Sequence, residues 1–136
     1  MVKRIKPPPD PPKGRIKAGA DSTGSTDGVP PVFCLRHLVE GWKISDCQRE
    51  DQANFALTAE KLSRLTWQEI RNAPRHGLGT EKIAREAIKS AIPASITEDV
   101  QFLAVRFSGM KPMVGFRSRE IFHVVWLDPA FRLYDH

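Results

Sequence analysis

From Asp99 onward the hydrophobic residues follow a period of two, which is the period of a β-strand. After Asp99 come the apolar runs "VQFLAVRF", "PMVGFR" and "IFHVVWL", separated only by the turn-like stretches "SGMK" and "SRE". Apolar runs of strand length joined by such short connections pair with their neighbours in antiparallel fashion. The sequence therefore predicts a three-stranded antiparallel meander. Pro129 breaks the last run, and "FRLYDH" is a candidate short edge strand.

A long helix is predicted before the meander. Phe55, Ala59 and Leu62 recur at i, i+4 and i+7, which is the spacing of a helix that buries one face. Ser45 and Gln48 have the spacing of a capping box just upstream. We predict a helix over about 47–65.

Two shorter helices are predicted after it. Thr66 and Glu69 form a second capping box, and Pro74 must end the helix that they open because proline cannot donate to the helical ladder. Beyond "RHGLG", Thr80 has the character of an N-cap for a third helix, predicted over 80–92.

The whole pattern predicts an α+β domain over residues 31–136. It begins with a strand in "VFCLRHLV", and two or three helices then pack on a three- to four-stranded antiparallel meander. Residues 1–30 are rich in Pro, Gly, Ser and Thr and have almost no large apolar side chains. They are predicted to form a disordered basic tail.

The charge of the chain favours a polyanionic partner such as RNA or DNA. The net charge is +5 and the isoelectric point is about 9.5. Residues 1–30 hold six Lys or Arg against three Asp, so they contribute +3 and leave only +2 for the rest. An anion site in the folded part must therefore come from local clustering.

Several classes of protein are excluded by what the sequence lacks. It contains no GxGxxG, GxxxxGK[ST], GxSxG or HExxH motif, and its four histidines have no typical metal-site spacing, so we expect no cofactor and no metal. No run is long and apolar enough for a membrane span, and prolines follow the first basic residues where a signal peptide would be apolar. Two cysteines make no disulfide framework. We expect a cytoplasmic protein without a membrane partner.

The candidate catalytic residues lie on the meander and after it. In "IFHVVWL", strand alternation predicts that Phe122, Val124 and Trp126 face the core and that His123 faces away from it. Whether Arg117 or Arg119 shares the face of His123 depends on the turn register. The full cationic and proton-transferring set is Arg106, Arg117, Arg119, His123, Tyr134 and His136.

Such a set has the chemistry needed to cleave RNA without a metal. A base removes the proton of the 2'-hydroxyl group, guanidinium groups hold the phosphate and its developing charge, and an acid protonates the leaving 5'-oxygen. The planar fork of arginine suits the phosphate, and imidazole suits proton transfer near neutral pH. These residue types are also common on solvated sheet faces.

A second cluster could bind phosphate. Arg75, His76 and Lys82 lie in "RHGLGTEKIAR", and Lys82 would fall in the first turn of the third predicted helix, where amide groups and the helix dipole favour an anion. The alternative is a loop in which Gly77 and Gly79 serve only the backbone conformation.

The pairing of "VGFR" with "FHVVWLD" on successive strands, and the ending "LYDH", resemble the RelE/ParE-like superfamily of small bacterial toxins, which includes ribosome-dependent mRNA interferases. The resemblance covers roughly residues 48–136 in layout. It implies a toxin of a toxin–antitoxin pair, a metal-independent endoribonuclease acting on mRNA and inhibited by an antitoxin protein. By this analogy Arg117 binds the phosphate with help from Arg106 or Arg119, and His123, Tyr134 or His136 supplies acid or base.

Two alternatives remain open from the sequence. The same arginines and the basic tail would also suit a nucleic-acid-binding module without catalysis. The chain could instead be a protein-interaction adaptor whose terminal strand pairs with the sheet edge of a partner.

Overall fold

The computed structural model describes residues 24–74 and 79–136. A five-stranded sheet carries two α-helices, so the predicted α+β class is confirmed, with one more strand in the sheet than the sequence indicated. None of the helices in these ranges is long and apolar enough to cross a bilayer. The elements are β1 (Val32–Cys34), α1 (Arg49–Leu62), α2 (Trp67–Asn72), β2 (Thr80–Ile83), β3 (Phe102–Ser108), β4 (Lys111–Ser118) and β5 (Ile121–Leu127), with 3₁₀ turns at Ile44–Asp46 and Arg85–Ala87.

The order of strands across the sheet is β1-β5-β4-β3-β2. The predicted meander is present as the antiparallel strands β3, β4 and β5. β1 pairs with β5 in parallel, with Val32 opposite Ile121, so the sheet is mixed. β2 and β1 are therefore the two edges of the sheet.

The first two predicted helices are confirmed. α1 lies inside the predicted range, and α2 opens with the predicted capping box: the Glu69 amide donates to Thr66 Oγ1 at 3.1 Å and the Thr66 amide donates to Glu69 Oε1 at 2.9 Å. The capping box proposed for α1 was wrong. Ser45 lies in a 3₁₀ turn, and Gln48 is the N-cap residue without a side-chain capping bond.

The prediction of a third helix over 80–92 was also wrong. Thr80–Ile83 forms strand β2, which pairs with β3, and only the turn Arg85–Ala87 is helical in this stretch. The free edge of β3 supplies backbone partners and Ile83 becomes buried, so tertiary pairing overrides the local helical spacing. The segment "FRLYDH" is irregular and forms no strand.

Hydrophobic layers cover both sides of the sheet. The helix face is the side on which α1 and α2 pack, and its buried residues include Phe55, Leu62, Trp67, Val105, Phe107 and Val124. The terminal face is the opposite side, covered by irregular chain from residues 84–100 and 128–136; its buried residues include Phe102, Val114, Val125, Trp126, Leu133 and Tyr134.

A β-bulge in β5 changes which side chains meet which layer. Val114 pairs with Trp126 and Gly115 pairs with Val124, so Val125 is the extra residue. Val125 and Trp126 consequently both pack on the terminal face. The prediction that Trp126 shares a face with Phe122 and Val124 was therefore wrong, because it assumed unbroken alternation.

The folded contacts begin before the predicted domain boundary at residue 31. The Trp67 amide donates to the Val29 carbonyl at 3.0 Å, and the Gln68 amide donates to the Asp27 carbonyl at 2.9 Å. Residues 24–30 are thus docked on the start of α2. The rest of the predicted tail, residues 1–23, lies outside the described residues.

Candidate functional site

The predicted site residues that the structure describes do not converge on one point; all of them except Arg119 fall into three places. Arg106, Tyr134 and His136 line a single cleft at the terminal face, which we call the C-terminal cleft. His123 lies elsewhere on that face, among aromatic rings. Arg117 and Lys82 line a pocket at the helix face, which we call the helix-side pocket.

The C-terminal cleft lies where β2 and β3 meet the end of the chain. Its volume of about 30 Å³ has room for one or two water-sized groups. The oxygen atoms of a phosphate could enter it, whereas a nucleotide would have to lie across its mouth. The side chains that line it include Glu81, Arg106, Met110, Pro112, Tyr134 and His136.

A buried carboxylate holds the segment that supplies Tyr134 and His136. Asp128 has no exposed surface, and its two oxygens accept the backbone amides of Arg132 at 2.8 Å and Leu133 at 2.9 Å. The Lys89 amide donates to the Leu133 carbonyl at 2.7 Å. The end of the chain is therefore fixed on the sheet even though it contains no regular element.

The imidazole of His136 is positioned by ring contacts. It stacks on Tyr134 with centroids 4.2 Å apart, and the edge of Phe131 lies 5.1 Å away. Its Nε2 atom is 3.9 Å from Asp128 Oδ2, which is too long for a hydrogen bond. The side chain remains 34% exposed, so the ring is accessible from solvent.

His123 faces away from the helices, as strand alternation predicts, but it is not part of the C-terminal cleft. Its ring stacks on Phe116 at 4.7 Å and meets the ring of His37 at 5.3 Å. Burial lowers the pKa of His123 below its ordinary value, and the nearby His37 and Arg36 lower this pKa further. The surroundings therefore favour the neutral imidazole.

The strand register separates His123 from Arg106. His123 lies opposite Phe116, which lies opposite Phe102, four residues from Arg106 along β3. Four residues of strand span about 13 Å, and two strand spacings separate β5 from β3. His123 and Arg106 cannot act on the same phosphate.

Arg117 lies on the opposite side of the sheet from His123. Its guanidinium carbon is 4.4 Å from the ring centroid of Trp67, and its Nη2 atom donates to Asp27 Oδ1 at 2.8 Å and to Thr26 Oγ1 at 2.9 Å. Arg119, in the turn after β4, donates to the Gly24 carbonyl at 3.1 Å. Both arginines hold the docked residues 24–30, and Arg117 faces the side of the sheet opposite His123.

Lys82 is on the edge strand and not in the first turn of a helix, so the predicted role for a helix dipole was wrong. Lys82 lines the helix-side pocket together with Arg117. Its predicted partners Arg75 and His76 lie outside the described residues. Lys82 would therefore approach a phosphate from an edge strand and not, as the sequence suggested, from the first turn of a helix.

Sequence reasoning missed Glu81, which lines the cleft, and Asp128, which holds the segment that supplies Tyr134 and His136. Glu81 was placed on a helix and so was not associated with Arg106, although in a strand it must point to the side opposite Lys82. Asp128 was not considered as a positioning residue. Its only sequence signal is the Asp-Pro pair that follows the apolar run of β5, which is typical of a turn.

Among residues 24–74 and 79–136, no group of three His, Cys, Asp or Glu side chains is arranged to hold a metal ion. The chain matches no family model, and no curated protein or solved structure is significantly similar to it.

Proposed function

We propose that this protein is an endoribonuclease of the toxin type that cleaves RNA without a metal at the C-terminal cleft. The observation that carries the proposal is that a guanidinium, a phenol, an imidazole and a carboxylate line one small cleft: Arg106, Tyr134, His136 and Glu81. Three of these four side chains belong to the set predicted from the sequence. Arg117 and His123 have no part in this version of the site.

The cleavage needs one proton acceptor, one proton donor and a cation. Glu81 or His136 takes the proton of the 2'-hydroxyl group, whose oxygen then attacks the adjacent phosphorus. Arg106 stabilises the charge that develops on the phosphate oxygens. The bond to the 5'-oxygen breaks, the partner acid protonates that oxygen, and the products are a 2',3'-cyclic phosphate and a free 5'-hydroxyl.

The test is cleavage of end-labelled single-stranded RNA by the full chain in EDTA, with and without ribosomes. We expect a 2',3'-cyclic phosphate product. His136→Ala should lower the rate by about 10²- to 10⁴-fold because a proton-transfer group is lost. Because His136 is partly exposed, its removal should leave the melting temperature close to that of the parent.

The matched control is His37→Ala, which removes an imidazole that lies beside His123 and away from the cleft. It should cleave at the parent rate. The proposal is refuted if EDTA abolishes cleavage, or if His136→Ala cleaves like the parent. RNA that is bound but never cut under any of these conditions would favour the non-catalytic binding module.

The toxin-type role adds a partner to the proposal. The resemblance of the sheet sequence to mRNA interferases supports an antitoxin protein that inhibits the cleft, and growth arrest on induced expression tests this role. Arrest that His136→Ala abolishes would link toxicity to cleavage. Normal growth with abundant folded protein would contradict the toxin role and leave RNA cleavage to be judged by the assay above.

A further inference from the structure

The helix-side pocket is a further cationic site among the described residues. It has a volume of about 380 Å³ and lies between α2 and strands β2, β3 and β4. Three basic side chains line it, Arg71, Lys82 and Arg117, and one carboxylate, Asp27, bonds to two of them. The pocket therefore carries an excess of positive charge.

The two arginines are held in fixed positions. Asp27 accepts from Arg117 at 2.8 Å through one oxygen and from Arg71 at 3.0 Å through the other. The hydrogen bond from Arg117 is the largest cause of the lowered pKa of Asp27, so this carboxylate stays charged. Arg117 also lies over the buried ring of Trp67. Guanidinium groups fixed in this way present their charge without losing side-chain freedom on binding.

Lys82 differs from the arginines because it forms no ion pair with the residues in the described ranges. It lies on the exposed edge strand β2 with its side chain largely in solvent. An ammonium group beside two fixed guanidinium groups attracts a phosphate more strongly than a single surface lysine would. The chemistry of the pocket thus suits a phosphodiester group.

Strand β2 connects this pocket to the C-terminal cleft. Neighbouring strand residues point to opposite faces, so Glu81 lines the cleft while Thr80 and Lys82 line the pocket. Only the four-residue edge strand separates the two sites. A flexible single strand that crosses this edge can contact both.

We propose that the helix-side pocket binds a backbone phosphate of the same RNA strand that is cleaved in the C-terminal cleft, after that strand has passed around the edge of β2. The inference rests on the proposed function for the identity of the ligand. It adds an RNA-binding site on the opposite face of the sheet. Affinity for RNA then depends on Lys82, although Lys82 is not in the cleft.

The experiment measures binding of a fluorescent 2'-O-methyl RNA, which cannot be cleaved because its 2'-oxygen is blocked. Lys82→Ala should weaken binding by about 5- to 10-fold and should reduce the slope of log affinity against log salt by about 0.7, the value for one phosphate contact on a single strand. The control is Lys61→Ala, which removes an exposed lysine from α1. It should bind like the parent.

The outcomes separate this inference from the proposed function. Equal affinity of Lys82→Ala and Lys61→Ala overturns the second site, even if the parent cleaves unmodified RNA. A parent that never cleaves but shows the Lys82 effect refutes the nuclease and keeps the phosphate site. Competition with an acidic peptide gives a further test. Displacement of the RNA from the parent but not from Lys82→Ala would support the phosphate site. Binding of the peptide, but not of RNA, to the helix-side pocket would overturn the phosphate site.

Discussion

The two faces of the sheet are covered in different ways. On the helix face, α1 and α2 present side chains from regular elements, and Phe107 and Val124 are buried beneath them. On the terminal face, irregular chain covers Phe102 and Trp126 equally completely. The irregular layer is therefore a full core layer. It also supplies Tyr134 and His136 to the cleft.

The largest effect should come from truncating one buried ring in each layer. Phe107 is 1% exposed on the helix face and Phe102 is 0% exposed on the terminal face. Phe107→Ala and Phe102→Ala should each lower the free energy of unfolding by about 3–5 kcal/mol, because each loses burial and leaves a cavity. Urea denaturation measures both. A cost for Phe102→Ala below about 1 kcal/mol would show that the irregular layer packs loosely.

A smaller effect is expected at the carboxylate that organises the terminal face. Asp128→Ala removes the acceptor of two backbone amides and should cost about 2–3 kcal/mol, since buried donors are left without partners. It should also displace Tyr134 and His136. Asp135→Ala is the control, because that side chain is 90% exposed and pairs with Lys89 at the surface, an interaction of little energetic value. Thermal and urea unfolding of the two variants test the difference; equal stabilities would contradict it.

The smallest effect is a pH dependence of the stability that comes from His123 on the terminal face. The folded-state pKa of His123 is lowered, so below about pH 6.5 the unfolded chain binds a proton that the folded chain resists. The stability that this group contributes is present above the ordinary pKa and is lost as pH falls through the folded-state pKa. Melting temperatures measured from pH 7.5 down to pH 5.5 should fall less for His123→Gln than for the parent. Identical pH profiles would refute the burial argument.

The meander and the first two helices could be predicted because their signals are local. Short turns between apolar runs determine which strands are neighbours, and the Thr66 capping box acts within one helical turn. Strand β2 could not be predicted in this way. The apolar residues Ile83, Ala87 and Ile88 are spaced as on a helix, whereas the conformation of β2 depends on the edge of β3, which is distant in sequence.

The candidate site was predictable in its residue types but not in its grouping. Nothing local assigns Arg117 to the face opposite His123, because one step of register reverses the side. The bulge at Val125 likewise moves Trp126 to the terminal face. The sequence gives one indication of this bulge, Gly115. An added Cβ atom at this position would lie 1.9 Å from the His123 carbonyl oxygen. The grouping of Arg106 with His136 depends on the contacts of Asp128, which no spacing reveals.

The parallel pairing of β1 with β5 has a consequence for synthesis of the chain. Val32 is translated well before its partner Ile121. The first strand must therefore wait unpaired until β5 has been synthesised. Tyr134 and His136 are translated after β5, so the C-terminal cleft can form only once strands β1 to β5 have all been synthesised.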